Sequence, residues 1–368
     1  MKSRHREKNE DIKPRLSERV ISYFIGKYVK TRYRLWMLRK ESNESVLRPE
    51  DLSRICLQHV LPVTSPLALI SAVQGSGGTL LSQLFDGHSA LHVHPHELMI
   101  GTTETSMWPQ IDLGDGPERW FELLFEDIVS EYNRHGYKQE KEDKETFPFV
   151  FISSLQKEIF LNYFNSIQAI TKRGIFDAYM TSYFGAWLNN QNYHGSKKFI
   201  TAHTARLGIR KENTESFFEV YPDGRLICVV RGPKTWFGSV RKRWPERYAD
   251  VGRALSEWNE STQAMLWNKK EFGDCVCLVQ YEDILKRTEA AMLFLAEFLS
   301  IEFDDILVTS TFNKFPVKAN MDPEMNDQGA LDSPLSTDMM LTEHEMDTIE
   351  RETGETYSLV LREKVRFE

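Results

Sequence analysis

Short apolar runs alternate with longer amphipathic stretches along most of this chain. Leu67 to Val73 is a continuous apolar run that follows Pro66, and Arg225 to Val230 is a second one after a Pro-Asp-Gly turn. A third run, Lys198 to Thr204, ends in polar residues. Runs of this length, apolar on both faces, are typical of strands that helices cover on both sides. The pattern therefore predicts an α/β fold with a central, mainly parallel sheet flanked by helices.

The stretch 98–197 is mostly helical in its pattern. Apolar residues recur at spacings of three and four in residues 118–132, 154–170 and 175–190. We expect Ser153 and Ser154 to cap the second of these helices, while the apolar run 147–152 before it can be strand or helix. Four of the aromatic residues of the third helix either form helix core or line an acceptor pocket: Tyr179, Tyr183, Phe184 and Trp187.

Length and charge limit the domain organisation and the partners. The chain has 368 residues, 41% of them hydrophobic, and a formal net charge of −8. We expect one elaborated domain over residues 61–330, in which 98–197 is a helical insertion, with an N-terminal helical arm at 1–60 and a C-terminal helical tail at 331–368. The acidic balance argues against nucleic acid as a partner, because such binding needs a concentrated positive field.

The N-terminal region and the cysteines indicate a cytoplasmic location. No signal peptide or spanning helix fits the N-terminal residues, because basic residues interrupt the apolar ones. Residues 20–40 could form a basic amphipathic helix that packs on the domain or contacts a membrane surface. The four cysteines, two of them in a Cys-x-Cys pair, are interpreted as packing residues of a protein in a reducing compartment.

A loop of small residues follows the first predicted strand. Gly75 to Thr79 has almost no side-chain bulk, so its backbone N–H groups can close around an anion at the start of the helix that follows. Phosphate and sulfate are the natural ligands. The loop lacks the lysine that the GxxxxGK[ST] motif of nucleotide triphosphatases requires, since Thr79 follows its last glycine. This absence also counts against a kinase-like phosphotransferase.

A second polar site is predicted at the end of the strand Arg225 to Val230. Arg231 follows that strand directly, and ligands of open α/β sheets bind beyond the carboxyl ends of the strands. Pro233 starts a helix on which Ser239 lies two turns after Arg231. A guanidinium and a hydroxyl at this spacing can hold one phosphate between them.

These motifs resemble, in order, those of the sulfotransferase family. Ser76 to Leu81 resembles the loop that cradles 3′-phosphoadenosine 5′-phosphosulfate (PAPS), and Tyr221 to Arg241 resembles the family's 3′-phosphate motif. Val279 to Ile284, Val-Gln-Tyr-Glu-Asp-Ile, is similar to a Tyr-Glu-Asp-Leu segment after a late strand. The resemblance covers about residues 67–320 and is greatest to bacterial members that act on carbohydrates or small molecules. It implies the P-loop NTPase-like sulfotransferase fold.

The resemblance also implies an activity and a set of site residues. A sulfotransferase moves a sulfuryl group from PAPS to a hydroxyl or amine and releases the bisphosphate PAP, without a metal ion. Glu97 lies where many members place a catalytic glutamate, and His203 lies at the end of a neighbouring strand. Either His94 or His96 lines the sulfuryl site beside Glu97 as a base or a donor, or both are structural. The residues implied in PAPS binding are Gly75, Ser76, Gly77, Gly78, Thr79, Leu80, Arg231, Ser239 and Lys318.

Two departures from the family pattern concern positive charge. Gly75 replaces the basic residue of the family loop, and His203 stands where members often have the lysine of a Lys-Thr-Pro triplet. We therefore predict that a protonated His203 stabilises the leaving phosphate. The alternative is a non-catalytic module of the same fold that binds PAPS or PAP. The alternating His92, His94 and His96 are not interpreted as a metal site, because the intervening proline bends their array.

Overall fold

A computed structural model describes residues 49–100, 108–136, 147–165, 169–205, 207–317 and 341–367. The chain divides into a unit of residues 1–59, whose described part contains helix α1 (Pro49–Gln58), and a unit of residues 60–368. Three predictions lie outside the described residues, namely Lys318 as an anion contact, the basic helix at 20–40, and the first ten residues of the C-terminal tail.

Five parallel strands form the centre of this unit. They are β1 (Leu67–Ala72), β2 (Leu91–Glu97), β3 (Phe199–His203), β4 (Arg225–Val230) and β5 (Val276–Gln280). Their order in the sheet is β2-β3-β1-β4-β5, and every neighbouring pair is parallel. The predicted α/β class with a central parallel sheet is confirmed.

Helices connect these strands and cover both faces of the sheet. They are α2 (Gly78–Phe85), α3 (Pro117–Leu124), α4 (Ile128–His135), α5 (Ser153–Tyr163), α6 (Lys172–Ala186), α7 (Lys211–Val220), α8 (Pro233–Arg243), α9 (Val251–Phe272), α10 (Tyr281–Lys286), α11 (Thr288–Phe298) and α12 (Glu343–Glu363). Two short antiparallel strands, β6 (Thr311–Phe312) and β7 (Phe315–Pro316), follow α11. No helix in the described ranges is both long and apolar enough to cross a membrane.

The alternation of side chains along β1 shows how the two faces are filled. Leu67 and Leu69 belong to a core cluster with the aromatic residues of α6, α8 and α9. Ala68 and Ile70 belong to a second cluster with the leucines of α2 and the apolar residues of α11. Because successive strand residues point to opposite faces, one strand serves both cores, and an unbroken apolar run results.

The helical insertion differs from its prediction in three respects. The predicted helix 118–132 is broken into α3 and α4. The last helical hydrogen bond of α3 runs from the Phe125 N–H to the Phe121 carbonyl, and the next residue, Glu126, is buried. The predicted serine cap is wrong, because α5 begins at Ser153 itself and Ile152 precedes it without a side-chain cap. The run 147–152 is neither helix nor strand; residues 147 and 151 are isolated bridge residues, and Phe151 pairs with Trp187.

Four aromatic residues in α6 and directly after it are core residues in this structure. Each of them is at most 3% exposed, and their rings pack on one another and on neighbouring aromatic rings. They are Tyr179, Tyr183, Phe184 and Trp187. Of the two interpretations of this set, helix core describes their surroundings.

Candidate active site

The glycine loop Gly75–Thr79 leaves the carboxyl end of β1 and turns into α2. Gly75 and Gly77 have φ values of 83° and 87°, in the left-handed region that favours glycine. The loop closes with a hydrogen bond of 3.0 Å from the Ser76 N–H to the Val73 carbonyl. Thr79 and Leu80 lie in the first turn of α2, whose N–H groups have no helical acceptor. This geometry suits an anion.

Arg231 and Ser239 lie next to this loop. Arg231 Nη1 donates to the Gly75 carbonyl at 3.1 Å and to Ser239 Oγ at 3.3 Å. The Arg231 guanidinium also lies 4.6 Å from the centre of the Tyr281 ring. The structure therefore brings both sequence motifs to one crevice at the carboxyl ends of β1 and β4.

Two buried hydrogen-bond donors in this crevice lack a partner among the described residues. They are Ser76 Oγ and Arg231 Nε, on residues that are 1% and 7% exposed. Buried polar groups are nearly always hydrogen-bonded, because an unsatisfied one costs about 1–3 kcal/mol. Both atoms can donate a hydrogen bond, so an anionic ligand would satisfy them.

The Tyr-Glu-Asp segment contacts both the glycine loop and the start of α8. A side chain at Gly77 would collide with the ring of Tyr281, so the ring closes the underside of the loop. Glu282 Oε1 accepts the Gly232 N–H at 2.9 Å and the Thr235 hydroxyl at 2.5 Å, at the start of α8. The segment thus holds the loop and the Arg231 helix in register, a role that the sequence pattern did not reveal.

Position 75 has no room for a basic side chain. A Cβ at Gly75 would lie 2.7 Å from Val240 Cγ1 and 3.7 Å from the Trp244 ring. A cation that sequence reasoning missed, Arg247, contacts the residue before Gly75. Arg247 donates to Gln74 Oε1 at 2.7 Å, but it also donates to Glu257 at 2.9 Å.

Glu97 and His203 end adjacent strands on the same side of the loop. They are paired in register, and the Leu98 N–H donates to the His203 carbonyl at 2.7 Å. Glu97 is exposed, and its Oε1 accepts the Ala205 N–H at 3.2 Å. The His203 ring covers Gly78 so closely that a side chain there would collide with Nε2. Burial lowers the pKa of His203, and Glu97 opposes that shift.

His96 is not placed beside the Glu97 side chain. Its ring lies with those of His94 and Tyr183, where Nε2 is 2.7 Å from the Tyr183 hydroxyl and Nδ1 is 2.8 Å from the Glu97 carbonyl oxygen. Burial, and then the charge of His94, lower the pKa of His96 to about 4. The alternation of β2 explains this placement, because residues 96 and 97 point to opposite faces.

A buried carboxylate joins these histidines. Glu126, from the break between α3 and α4, lies 3.1 Å from His94 Nε2 and accepts the Tyr179 hydroxyl at 2.9 Å. Burial raises its pKa, but the charges of His94 and His96 and its hydrogen bonds outweigh burial, so the pKa is lowered overall. Sequence reasoning missed Glu126, because a glutamate within a helical apolar pattern gives no sign that it is buried.

The same three side chains could hold a metal ion. One ligand atom from each of His94, His96 and Glu126 lies within 4.8 Å of the others. Each ring nitrogen and carboxylate oxygen, however, already contacts a protein group within hydrogen-bonding distance. Among the described residues these groups therefore form a closed hydrogen-bond network.

Comparison with known proteins places these features in a family. A model described as "Sulfotransferase family" matches residues 66–305, which is more than half of the chain. Comparison with curated protein sequences gives no match.

Several solved structures resemble the chain at low identity. The sulfotransferase domain from the curacin biosynthetic pathway shares 16% identity, with 82% of this chain and 99% of that chain covered and a TM-score of 0.41. A sulfotransferase from Alicyclobacillus acidocaldarius shares 11% identity, with 83% and 98% covered and a TM-score of 0.45. Retinol dehydratase in a complex with retinol and PAP shares 12% identity, with 86% and 88% covered and a TM-score of 0.36.

Proposed function

We propose, since this chain belongs to the sulfotransferase family, that it transfers a sulfuryl group from PAPS to a hydroxyl or amine of a carbohydrate or small-molecule acceptor. The observation that supports this most is the convergence of the glycine loop, Arg231 and Ser239 on one crevice that contains unsatisfied buried polar atoms. A donor with two anionic ends fits such a crevice.

Each end of the donor has its own set of protein groups in this proposal. The loop N–H groups, the Ser76 hydroxyl and the first turn of α2 bind the phosphosulfate, and Thr79 and Leu80 contribute backbone N–H groups there. Arg231 and Ser239 bind the 3′-phosphate, because a guanidinium and a hydroxyl can share its oxygens. Lys318 remains a predicted further contact.

The transfer step needs a base and a group that stabilises the leaving phosphate. Glu97 is exposed at the end of β2 and accepts the proton as the acceptor oxygen or nitrogen bonds to sulfur and the bond from sulfur to the 5′-phosphate oxygen breaks. His203, over Gly78, stabilises the charge that develops on that oxygen. We assign the proton transfer to Glu97 and not to His96, because both His96 nitrogens are engaged within the core.

One observation favours the alternative of a non-catalytic module that binds PAPS or PAP. The loop position that would carry a cation is Gly75, and Val240 closes the space beside it. A protein that only binds the nucleotide would need the donor contacts but no cation at the leaving oxygen. Turnover decides between the two functions.

The first prediction concerns Glu97. Purified protein is incubated with labelled PAPS and a panel of hydroxyl and amine acceptors, and Glu97→Gln is compared with wild type on the best acceptor. Removing a general base should lower kcat by roughly 10²–10⁴, while calorimetric PAP affinity changes by less than about threefold. The matched control is Glu122→Gln, an exposed glutamate on α3.

Three outcomes bear on the proposal. The predicted fall of kcat in Glu97→Gln, with an unaffected control, supports transfer with Glu97 as the base. Wild-type turnover in Glu97→Gln contradicts that assignment. PAP binding without transfer to any acceptor supports the non-catalytic module instead.

A further inference from the structure

The ladder between β2 and β3 is interrupted just before Glu97. Val93 pairs with Thr201, and the next pair is Glu97 with His203, so four steps along β2 match two along β3. Pro95 lies within this interruption and has no N–H to donate. A bulge of this kind leaves backbone groups unpaired and changes the direction of the next side chain.

Histidine side chains take over hydrogen bonds that the interrupted ladder cannot make. His94 Nδ1 lies 3.0 Å from the His96 carbonyl oxygen, and His96 Nδ1 lies 2.8 Å from the Glu97 carbonyl oxygen. Because a carbonyl oxygen only accepts, both Nδ1 atoms carry hydrogen. The bulge is therefore held by side chains on its own strand.

Glu126 holds the chain on the other side of Glu97. Its Oε1 accepts the backbone N–H of Met99 at 2.6 Å, and its Oε2 contacts His94 and the hydroxyl of Tyr179. The carboxylate is completely buried. It thus contacts groups both before and after Glu97, from a segment that belongs to neither strand.

The contact between His94 and Glu126 is a buried pair that shares one proton. His94 Nδ1 donates to a carbonyl, so the short contact between His94 Nε2 and Glu126 needs one further proton on either group. Replacing both members of such a buried pair by apolar residues often leaves the free energy of unfolding unchanged, whereas removing one member is strongly destabilising. Stability alone therefore does not explain a carboxylate at this position. The explanation lies in the groups that the carboxylate orients.

We propose that Glu126 is a positioning residue that fixes the bulge of β2 and thereby aims Glu97 at the crevice beside His203 and the glycine loop. The inference rests on the proposed function, in which Glu97 is the base. Glu126 does not touch the reacting atoms. The Glu126 side chain is long enough to contact groups on both sides of Glu97 and so fixes the backbone position there. The length of this side chain therefore matters more than its charge.

Two substitutions separate reach from charge. Glu126→Gln keeps the length and can accept the Met99 N–H, and its amide can donate to a neutral His94. Glu126→Asp keeps the charge but is one carbon shorter, so it cannot contact Met99 and His94 together. The control is Asp86→Asn, because Asp86 is also a buried carboxylate that accepts a backbone N–H, from Lys314 at 2.9 Å, and a threonine hydroxyl.

The first readout is amide hydrogen exchange of residues 97–100, which does not require activity. Relative to the change in global stability, Glu126→Asp should speed exchange at Met99 by about 10- to 100-fold, as expected for the loss of a charge-assisted hydrogen bond. Glu126→Gln and Asp86→Asn should change it by less than about threefold. Equal effects of all three variants would show that Glu126 is an ordinary core carboxylate.

The second readout is turnover at saturating PAPS and acceptor. Glu126→Asp should lower kcat by roughly 10²-fold with PAP affinity retained, because a misplacement near 1 Å costs about that factor. Glu126→Gln should stay within about tenfold of wild type. In the double variant Glu97→Gln/Glu126→Asp, kcat should fall no further than in Glu97→Gln alone, because both changes act through one group.

Several results would overturn the inference. One is a larger loss in Glu126→Gln than in Glu126→Asp, which would mean that charge and not reach matters. Faster exchange at Met99 with unchanged kcat would show that the contacts of Glu126 do not orient Glu97. One equivalent of bound zinc in the wild type that Glu126→Asp loses would make the cluster a metal site. Wild-type kcat in Glu97→Gln contradicts the proposed base itself, and the exchange measurement is independent of it.

Discussion

Replacement of Arg231 by methionine tests the donor site most directly. Arg231 is 7% exposed, and its hydrogen bonds to the Gly75 carbonyl and Ser239 measure 3.1 and 3.3 Å. Methionine keeps most of the unbranched stem and removes the charge. The two lost hydrogen bonds cost about 1 kcal/mol each, but a partly unsatisfied buried cation is also removed. We therefore expect the free energy of unfolding to change by no more than about 1 kcal/mol.

The effect on ligand affinity should be larger and confined to one phosphate. Loss of a charge-assisted contact to phosphate costs on the order of 2–3 kcal/mol, so Arg231→Met should weaken PAP by about 30- to 150-fold. AMP lacks the 3′-phosphate and otherwise has the same nucleotide. Its affinity should change by less than about threefold, because its contacts are to the glycine loop.

Calorimetry with PAP and AMP on wild type and variant gives the four affinities required. Arg225→Met is the matched control, since Arg225 begins the strand that Arg231 follows and donates to the Gly224 carbonyl at the opposite end. It should leave both affinities unchanged. Equal losses for PAP and AMP in Arg231→Met would refute the assignment of Arg231 to the 3′-phosphate.

Two further predictions concern histidine protonation. Burial lowers the pKa of His203 in the free protein, but a bound anion favours its charged form, so kcat should fall as pH rises through the pKa of the complex. His203→Lys should shift that fall in kcat to higher pH, and His203→Ala should lower kcat by at least tenfold. An alanine variant with the kcat of wild type at every pH contradicts this role. Burial lowers the pKa of His92 to about 3, so its contribution to stability is present above pH 6.5 and is lost as pH falls toward 3, by up to about 1.4 kcal/mol per unit. His92→Phe, which can keep the stacking on Phe184, should flatten this acid dependence in urea titrations, and parallel curves would contradict it.

The parts of the fold that could be predicted are those with local causes. The apolar runs of β1 and β4 are buried on both faces, so neither can be mistaken for a surface strand, and small residues after β1 can only be a turn. Arg231 follows from the same logic, because the residue after a parallel strand lies at the ligand-binding edge. His203, at the end of β3, was predicted beside the crevice for that reason.

The parts that could not be predicted depend on contacts distant in sequence. Glu126 lies within a helical apolar pattern of the sequence. Its charge can be buried only because the helix breaks after α3 and because His94 is next to it. The sequence shows that Gly75 lacks a side chain, but not that Val240 would exclude one. The alternation of β2 predicts a shared face for its three histidines, yet the bulge at Pro95 appears only in the pairing with β3.

The completeness of hydrogen bonding distinguishes the two polar clusters of this protein. In the donor crevice, Ser76 Oγ and Arg231 Nε are buried without a partner among the described residues, each at a cost of about 1–3 kcal/mol. A ligand that satisfies them recovers that free energy, so binding there adds to stability. The side-chain nitrogens and oxygens of His94, His96 and Glu126 all have partners, so a ligand or metal ion would first have to break existing bonds. This difference favours a binding role for the first cluster and a positioning role for the second.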